Sequence, residues 1–176
     1  ILPHGDQLKL LTIIQGLRKR GVAIAFDSNY RPKLWDSQDA TKEAYQLAYK
    51  TTDIALVTFD DEQLLWGDQT PQDTIKRLHA LGVKTVVVKL GAEGCLISEN
   101  PKDVPIKVTT TPVETVVDST SAGDSFNGGF LSCYLSGGSV SEACQQGNAL
   151  ARLVIQHHGA IIPKAITDTL SNPIKK

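Results

Sequence analysis

Val113-Glu114-Thr115-Val116-Val117-Asp118-Ser119-Thr120-Ser121-Ala122-Gly123-Asp124-Ser125-Phe126-Asn127-Gly128-Gly129-Phe130 is the stretch whose reading decides the fold. Val113–Val117 is an extended apolar run, which predicts a strand. Phe126, Phe130, Cys133 and Tyr134 then recur at a helical period. A strand therefore leads through a turn of small residues into a helix, with an acid, Asp124, where the helix begins. The turn Ser121-Ala122-Gly123 can aim several backbone N–H groups at one point, and the helix N-terminus adds positive potential there. An acid in a first helical turn is common on dipole grounds alone. Beside an anion site, however, a carboxylate has a definite chemical use, which is to accept the proton of a hydroxyl that attacks a phosphate.

These residues resemble the Asp-Thr-Thr-Gly-Ala-Gly-Asp signature of the ribokinase-type (PfkB) sugar kinases, with Ser119 for Thr and Ser121 for Gly. The resemblance implies that Asp124 is the catalytic base. It also implies that the N–H groups of Ser121, Ala122 and Gly123 form the anion hole for the transferred γ-phosphoryl group. A serine at position 121 costs energy if the turn needs a positive φ there.

Working outward, Leu8–Arg20 carries an apolar stripe at Leu10, Ile13, Ile14 and Leu17, and Gly21 ends that helix. Val22–Phe26, Ile54–Val57 and Lys84–Val88 are continuous apolar runs, as expected of strands buried on both faces. Helices are predicted between them over Asp39–Lys50, Asp60–Trp66 and Gln72–Leu81. This rhythm predicts a parallel sheet wrapped by helices. Gly94–Ser98, Val104–Val108 and Val113–Val117 are shorter strands, suited to an antiparallel edge. Helices follow near Ala122–Leu135, Val140–Gln156 and Pro163–Leu170, before a polar tail. The family resemblance makes this a ribokinase-like three-layer α/β/α sandwich, with the N-terminal part and the lid absent. Residues 1–176 are expected to be the C-terminal portion of a single PfkB-type kinase domain. Two features support that reading. The chain has no methionine, and Ile1-Leu2-Pro3-His4-Gly5-Asp6 reads as the end of a strand followed by a turn.

After the strand Val22–Phe26 comes Asp27-Ser28-Asn29-Tyr30-Arg31-Pro32-Lys33-Leu34-Trp35. If this stretch stays extended, residues 27, 29 and 31 face one side, at the strand edge where open α/β sheets bind ligands. The guanidinium fork of Arg31 suits a carboxylate or a phosphate. The plainer alternative is a loop with an exposed Arg31 and a buried Trp35. The run resembles the Asp-x-Asn-x-Arg-x-x-Leu-Trp segment of the 2-keto-3-deoxygluconate kinase branch of the family. By that resemblance Arg31 holds the substrate carboxylate, and Asn29 and Tyr30 line the boundary between the sugar and the nucleotide phosphates.

Lys89-Leu90-Gly91-Ala92-Glu93-Gly94 matches the family's nucleotide loop, which assigns Gly91 and Gly94 to ATP and makes Lys89 a candidate for its phosphates. Glycines three apart are by themselves a common turn. The chain carries no G-x-x-x-x-G-K-[ST] loop, so the other large kinase class does not fit. Thr58-Phe59-Asp60-Asp61-Glu62 stands at the family's Asn-x-x-Glu, which assigns an indirect Mg2+ role to Asp61 or Glu62. Both acids also suit a plain helix start. Gly147-Asn148 matches the adenine-side helix, which places Asn148 by the nucleotide. His157-His158 reads as a helix end rather than a metal pair, because neighbouring helical side chains point about 100° apart.

Length and composition bound these readings. The chain has 176 residues and a net charge of −1, with acids and bases mixed along it. No basic stripe suggests nucleic acid, and no apolar run is long enough for a membrane span. Cys95, Cys133 and Cys144 lie in apolar segments without C-x-x-C spacing. They read as buried thiols of a reducing, cytoplasmic compartment. The expected activity is ATP- and Mg2+-dependent phosphorylation of a 2-keto-3-deoxy sugar acid at its terminal hydroxyl, with a monovalent cation as a further candidate cofactor. The parent enzyme is expected to be a homo-oligomer. Two alternatives stand beside that reading: a family kinase of a neutral sugar or nucleoside, and a nucleotide-binding fragment without activity.

Overall fold

Runs of β-branched residues set the central elements, because Val and Ile fit a pleated surface buried on both sides. The computed structural model describes residues 2–170. β2 (Ile54–Thr58) and β3 (Thr85–Lys89) pair in parallel, Ile54 opposite Thr85 and Thr58 opposite Lys89. β1 (Ala25–Phe26) pairs in parallel with β2, Ala25 opposite Ile54. β4 (Cys95–Ser98) and β5 (Ile106–Val108) complete a five-stranded sheet in the order β1-β2-β3-β4-β5. The connections 90–94 and 99–105 are too short for parallel crossovers, so these two strands form the antiparallel edge that the sequence predicts.

The helices are α1 (His4–Lys19), α2 (Gln38–Tyr49), α3 (Phe59–Trp66), α4 (Pro71–Ala80), α5 (Ala122–Leu135), α6 (Val140–Val154) and the short α7 (Lys164–Thr167). Local chemistry explains their ends. Thr70 and Asp73 form a reciprocal capping box on α4, as do Ser139 and Glu142 on α6. Ser37 caps α2 through the Ala40 N–H, and Gly67 closes α3 in the left-handed region.

The chain divides into two compact units: residues up to 90 with 96–106, and residues 91–95 with those from 107 onward. The core of the first unit joins one sheet face to α2, α3 and α4 through Tyr45, Tyr49, Val57, Leu65, Leu78, Val86 and Val88. Each such side chain contributes about 1.5–3 kcal/mol by leaving water. In the second unit α5 and α6 meet through glycines. A Cβ on Gly129 would stand 2.7 Å from the Gln146 carbonyl oxygen, and one on Gly147 would stand 2.8 Å from that of Phe126.

Three expectations are corrected. Val113–Val117 is not a strand: no ladder partner exists among the described residues, Pro112 lacks an N–H, and Val116 is 55% exposed. Instead the N–H groups of Val117 and Asp118 both donate to the Ile155 carbonyl, just past α6 (2.8 and 3.2 Å). The strand predicted over Val22–Phe26 shrinks to two edge residues and is not buried on both faces. Val22 N–H closes α1 on the Leu17 carbonyl, and Ile24 N–H goes to the Asp53 carboxylate (3.0 Å). The turn expected near Pro3–Asp6 is the first turn of α1, because Pro3 pre-sets a helical entry and its carbonyl accepts from Asp6 and Gln7. Ile1 and the polar tail lie outside the described residues.

Candidate active site

The loop after β1 alternates as its sequence predicts. Ser28 and Tyr30 are each 5% exposed, whereas Asn29 and Arg31 are open to solvent and Asp27 is half-buried. The backbone is not extended throughout, for Asn29 sits at φ 37°. Asp27 Oδ1 accepts the Asn29 N–H (3.1 Å), an Asx turn that helps hold this left-handed residue. Arg31 Nη1 donates to the Tyr30 carbonyl (2.9 Å), which leaves the rest of its fork available. Trp35 is half-buried against Tyr45, edge to face at 5.5 Å.

Lys89, at the end of β3, is 7% exposed and pairs with Asp27 (2.9 Å). The two acids at the start of α3 have separate surroundings. Glu62 is fully buried: its Oε1 accepts from Ser28 Oγ (2.7 Å) and Tyr49 OH (2.8 Å), and its Oε2 accepts from Arg77 Nη2 (2.7 Å). Asp61 is half-buried. Burial raises its pKa and Asp27 raises it further, against the pull of Arg31, the Tyr30 N–H and Lys89. Asp61 thus carries a carboxylate whose charge is incompletely compensated.

In the second unit α5 starts where the signature predicts. Ser121 is its N-cap at φ 59°, ψ 19°, the left-handed region in which a serine costs about 1 kcal/mol. Its side chain makes no capping bond. Ala122 N–H is used within the turn, donating to the Ser119 carbonyl (3.2 Å), and Ser125 N–H donates to the Ser121 carbonyl (2.9 Å). Among the described residues no backbone or side-chain acceptor takes the N–H of Gly123 or Asp124. Two donors thus stand open at the helix N-terminus, with the Asp124 side chain exposed beside them.

Asp118, which opens the signature, braces this turn. Its Oδ1 accepts the Thr120 N–H (2.8 Å) and its Oδ2 accepts the Gly159 N–H (3.0 Å). Those bonds to Thr120 and Gly159, with the His158 charge, lower its pKa to about 2. His157 and His158 lie in turns past the end of α6. Gly91 and Gly94 both have positive φ, 57° and 92°. A Cβ on Gly94 would run into the Val108 carbonyl, so this glycine is needed first for packing on β5. Asn148 is 8% exposed and its Nδ2 reaches the same carbonyl at 3.4 Å.

The sequence profile of the pfkB family carbohydrate kinases matches residues 1–167. The chain belongs to that family. Among curated pfkB relatives, the 2-dehydro-3-deoxygluconokinase of Haemophilus influenzae is 48% identical over 172 residues, covering 98% of this chain and 55% of the relative. The chain spans about half the length of the curated relatives it matches. Among solved structures, the Salmonella enterica aminoimidazole riboside kinase, with its riboside and an ATP analogue, superposes with a TM-score of 0.80 at 27% identity. It covers 93% of this chain and 57% of that one. An Escherichia coli protein described as a ribokinase II, in complex with ATP and Mg2+, gives 0.73 at 30% identity, covering 84% and 46%. The fold is the ribokinase-like α/β fold. No helix among the described residues is long and apolar enough to cross a membrane.

Sequence reasoning did not find the roles of Ser28, Tyr45, Tyr49 and Arg77, which hold the loop and Glu62 from beneath. Arg77 stands beside the buried Leu78 on α4 and carried no motif signal.

Proposed function

We propose that the full-length protein is an ATP-dependent kinase that phosphorylates a 2-keto-3-deoxy sugar acid, 2-keto-3-deoxygluconate, at its terminal hydroxyl. The observation that carries this reading is the outward presentation of Arg31 and Asn29 on a buried loop, in a chain 48% identical to a relative of that activity. A neutral sugar has no carboxylate for Arg31 to hold.

In this reading Arg31 binds the carboxylate as a planar fork, and Asn29 and Tyr30 border the sugar and the phosphates. Asp124 accepts the proton of the terminal hydroxyl as that oxygen bonds to the γ-phosphorus and the bridge to the β-phosphate breaks, releasing ADP. The open amides at the start of α5, with Ser121, receive the charge on the transferred group. Gly91, Gly94 and Asn148 serve the nucleotide, and Lys89 its phosphates. Asp61 fits an indirect Mg2+ role, because its burial and the nearby Asp27 leave negative charge that a hydrated cation neutralises. Bound Mg2+ supplies charge neutralisation at the phosphates. Glu62, fully buried and already bound by three protein donors, supports the loop rather than the metal.

A second reading, a kinase of a neutral sugar or nucleoside, draws on the likeness to the riboside kinase. Steady-state turnover of the full-length protein separates the two. The sugar acid is expected to exceed fructose, ribose and a nucleoside in kcat/KM by about 100-fold or more. Arg31→Ala is expected to raise KM for the acid at least about tenfold and leave KM for ATP unchanged. Equal turnover of a neutral sugar, or an Arg31→Ala variant with normal KM, would overturn the assignment.

A further inference from the structure

The buried carboxylate of Glu62 touches the loop that carries Asn29 and Arg31. Ser28 is held through both its side chain and its main chain: its Oγ donates to Glu62 Oε1 (2.7 Å), and its carbonyl accepts from Tyr45 OH (2.6 Å). Its neighbours on the chain are Asp27, which pairs with Lys89, and Asn29, in the left-handed region. Glu62 is itself fixed by Tyr49 OH and by Arg77, and Arg77 is fixed by Asp68, through Nη2 at 2.6 Å and Nε at 3.2 Å. Thr74 Oγ1 adds a third bond to Asp68 (2.7 Å), and the Arg77 guanidinium lies 4.6 Å from the Trp66 ring centroid. A charge this deeply buried is costly even when paired, and an apolar cluster of the same volume would serve stability at least as well. What the ionic network adds is direction: its outermost link ends on the residue between Asp27 and Asn29.

We infer that Glu62 is a positioning residue, which through Ser28 sets the backbone of residues 27–31 so that Arg31 and Asn29 are presented to substrate. A buried hydrogen bond to a carboxylate resists the loop's relaxation out of the left-handed turn at Asn29, a conformation that Asn alone holds weakly. The network joins α2, α3 and α4 to the loop, so the three helices share the load.

The inference rests on the sugar-acid reading for its kinetic consequence but not for its structural one, and the test separates them. Ser28→Ala in the full-length protein removes the last link and leaves the Glu62–Arg77–Asp68 network intact. Amide hydrogen exchange of residues 27–31 is expected to speed up about tenfold or more, with β2 and β3 unchanged, whatever the substrate. KM for the sugar acid is expected to rise about tenfold, while kcat and KM for ATP change less than twofold. Tyr45→Phe, which frees the Ser28 carbonyl, is expected to do the same in smaller measure. Thr74→Val is the control: it removes a donor from Asp68 in the same network without touching the loop, and is expected to lower thermal stability while KM stays put. If Ser28→Ala and Thr74→Val shift stability and KM alike, the network is structural and the inference fails. If exchange in 27–31 is unchanged by Ser28→Ala, it fails as well. Faster exchange with no KM effect, together with an Arg31→Ala variant that binds the acid normally, would leave the positioning intact and overturn the substrate reading instead.

Discussion

Asp124 and Asp118 bracket one turn and have different tasks. Asp124 is exposed beside two open amides, and as the proposed base it would meet a substrate hydroxyl there. Asp124→Asn keeps size and hydrogen bonding but cannot take a proton, so kcat is expected to fall about 1,000-fold while ATP affinity stays within twofold. Single-turnover kinetics and nucleotide titration check both halves. Asp118 is instead occupied by backbone N–H groups, and its bonds to Thr120 and Gly159 hold its pKa near 2 rather than the ordinary 3.8. The sign follows from that depression. The carboxylate is favoured by folding, so its stabilisation is complete above about pH 4 and fades as pH falls from 3.8 through 2. Thermal scans of Asp118→Asn and the parent protein are therefore expected to differ at pH 7 and to converge near pH 2. Because this carboxylate lies at the surface, added salt should narrow the gap.

At the scale of elements, packing rather than propensity decides what a glycine is worth. Gly128 and Gly129 are adjacent in α5, yet a Cβ on Gly128 meets nothing within 4 Å, whereas one on Gly129 meets the Gln146 carbonyl oxygen at 2.7 Å. Gly128→Ala is expected to stabilise by about 0.5–1 kcal/mol through lower chain entropy and better helix propensity. Gly129→Ala gains the same amount but forces α5 and α6 apart. Overpacking of about 1–3 kcal/mol exceeds that gain, and the variant is expected to be less stable than the parent. Urea unfolding of the pair gives opposite shifts in midpoint if the helix contact is as described. The same rule explains the failed strand at Val113–Val117. An apolar run becomes a strand only where a ladder is offered, and here the backbone N–H groups of Val117 and Asp118 found the end of α6 instead.

At the scale of the molecule, the charges of α3, α4 and the segment between them converge on Arg77. Its loss leaves Glu62 buried without a counter-charge and Asp68 without its bidentate partner. Arg77→Ala is expected to cost about 3–5 kcal/mol, read as a drop in denaturation midpoint. By itself the sequence determined most of the helices, the parallel β2–β3 core with its antiparallel edge and the family, since apolar period, capping residues and the Ser121–Asp124 turn act over a few neighbours. It also marked Arg31 and Asp124 as the groups to watch. Only the tertiary structure separated Asp61 from Glu62, two adjacent acids at one helix start that local pattern treats alike. It did so because the burial and hydrogen bonding of Glu62 come from Ser28, Tyr49 and Arg77, which lie 13 or more positions away along the chain. It also showed Gly94 packed on Val108, left α1 without a buried residue and placed Ser121 in the left-handed region. Each of these depends on which surfaces meet, and the meeting of distant surfaces leaves no periodic trace in a sequence.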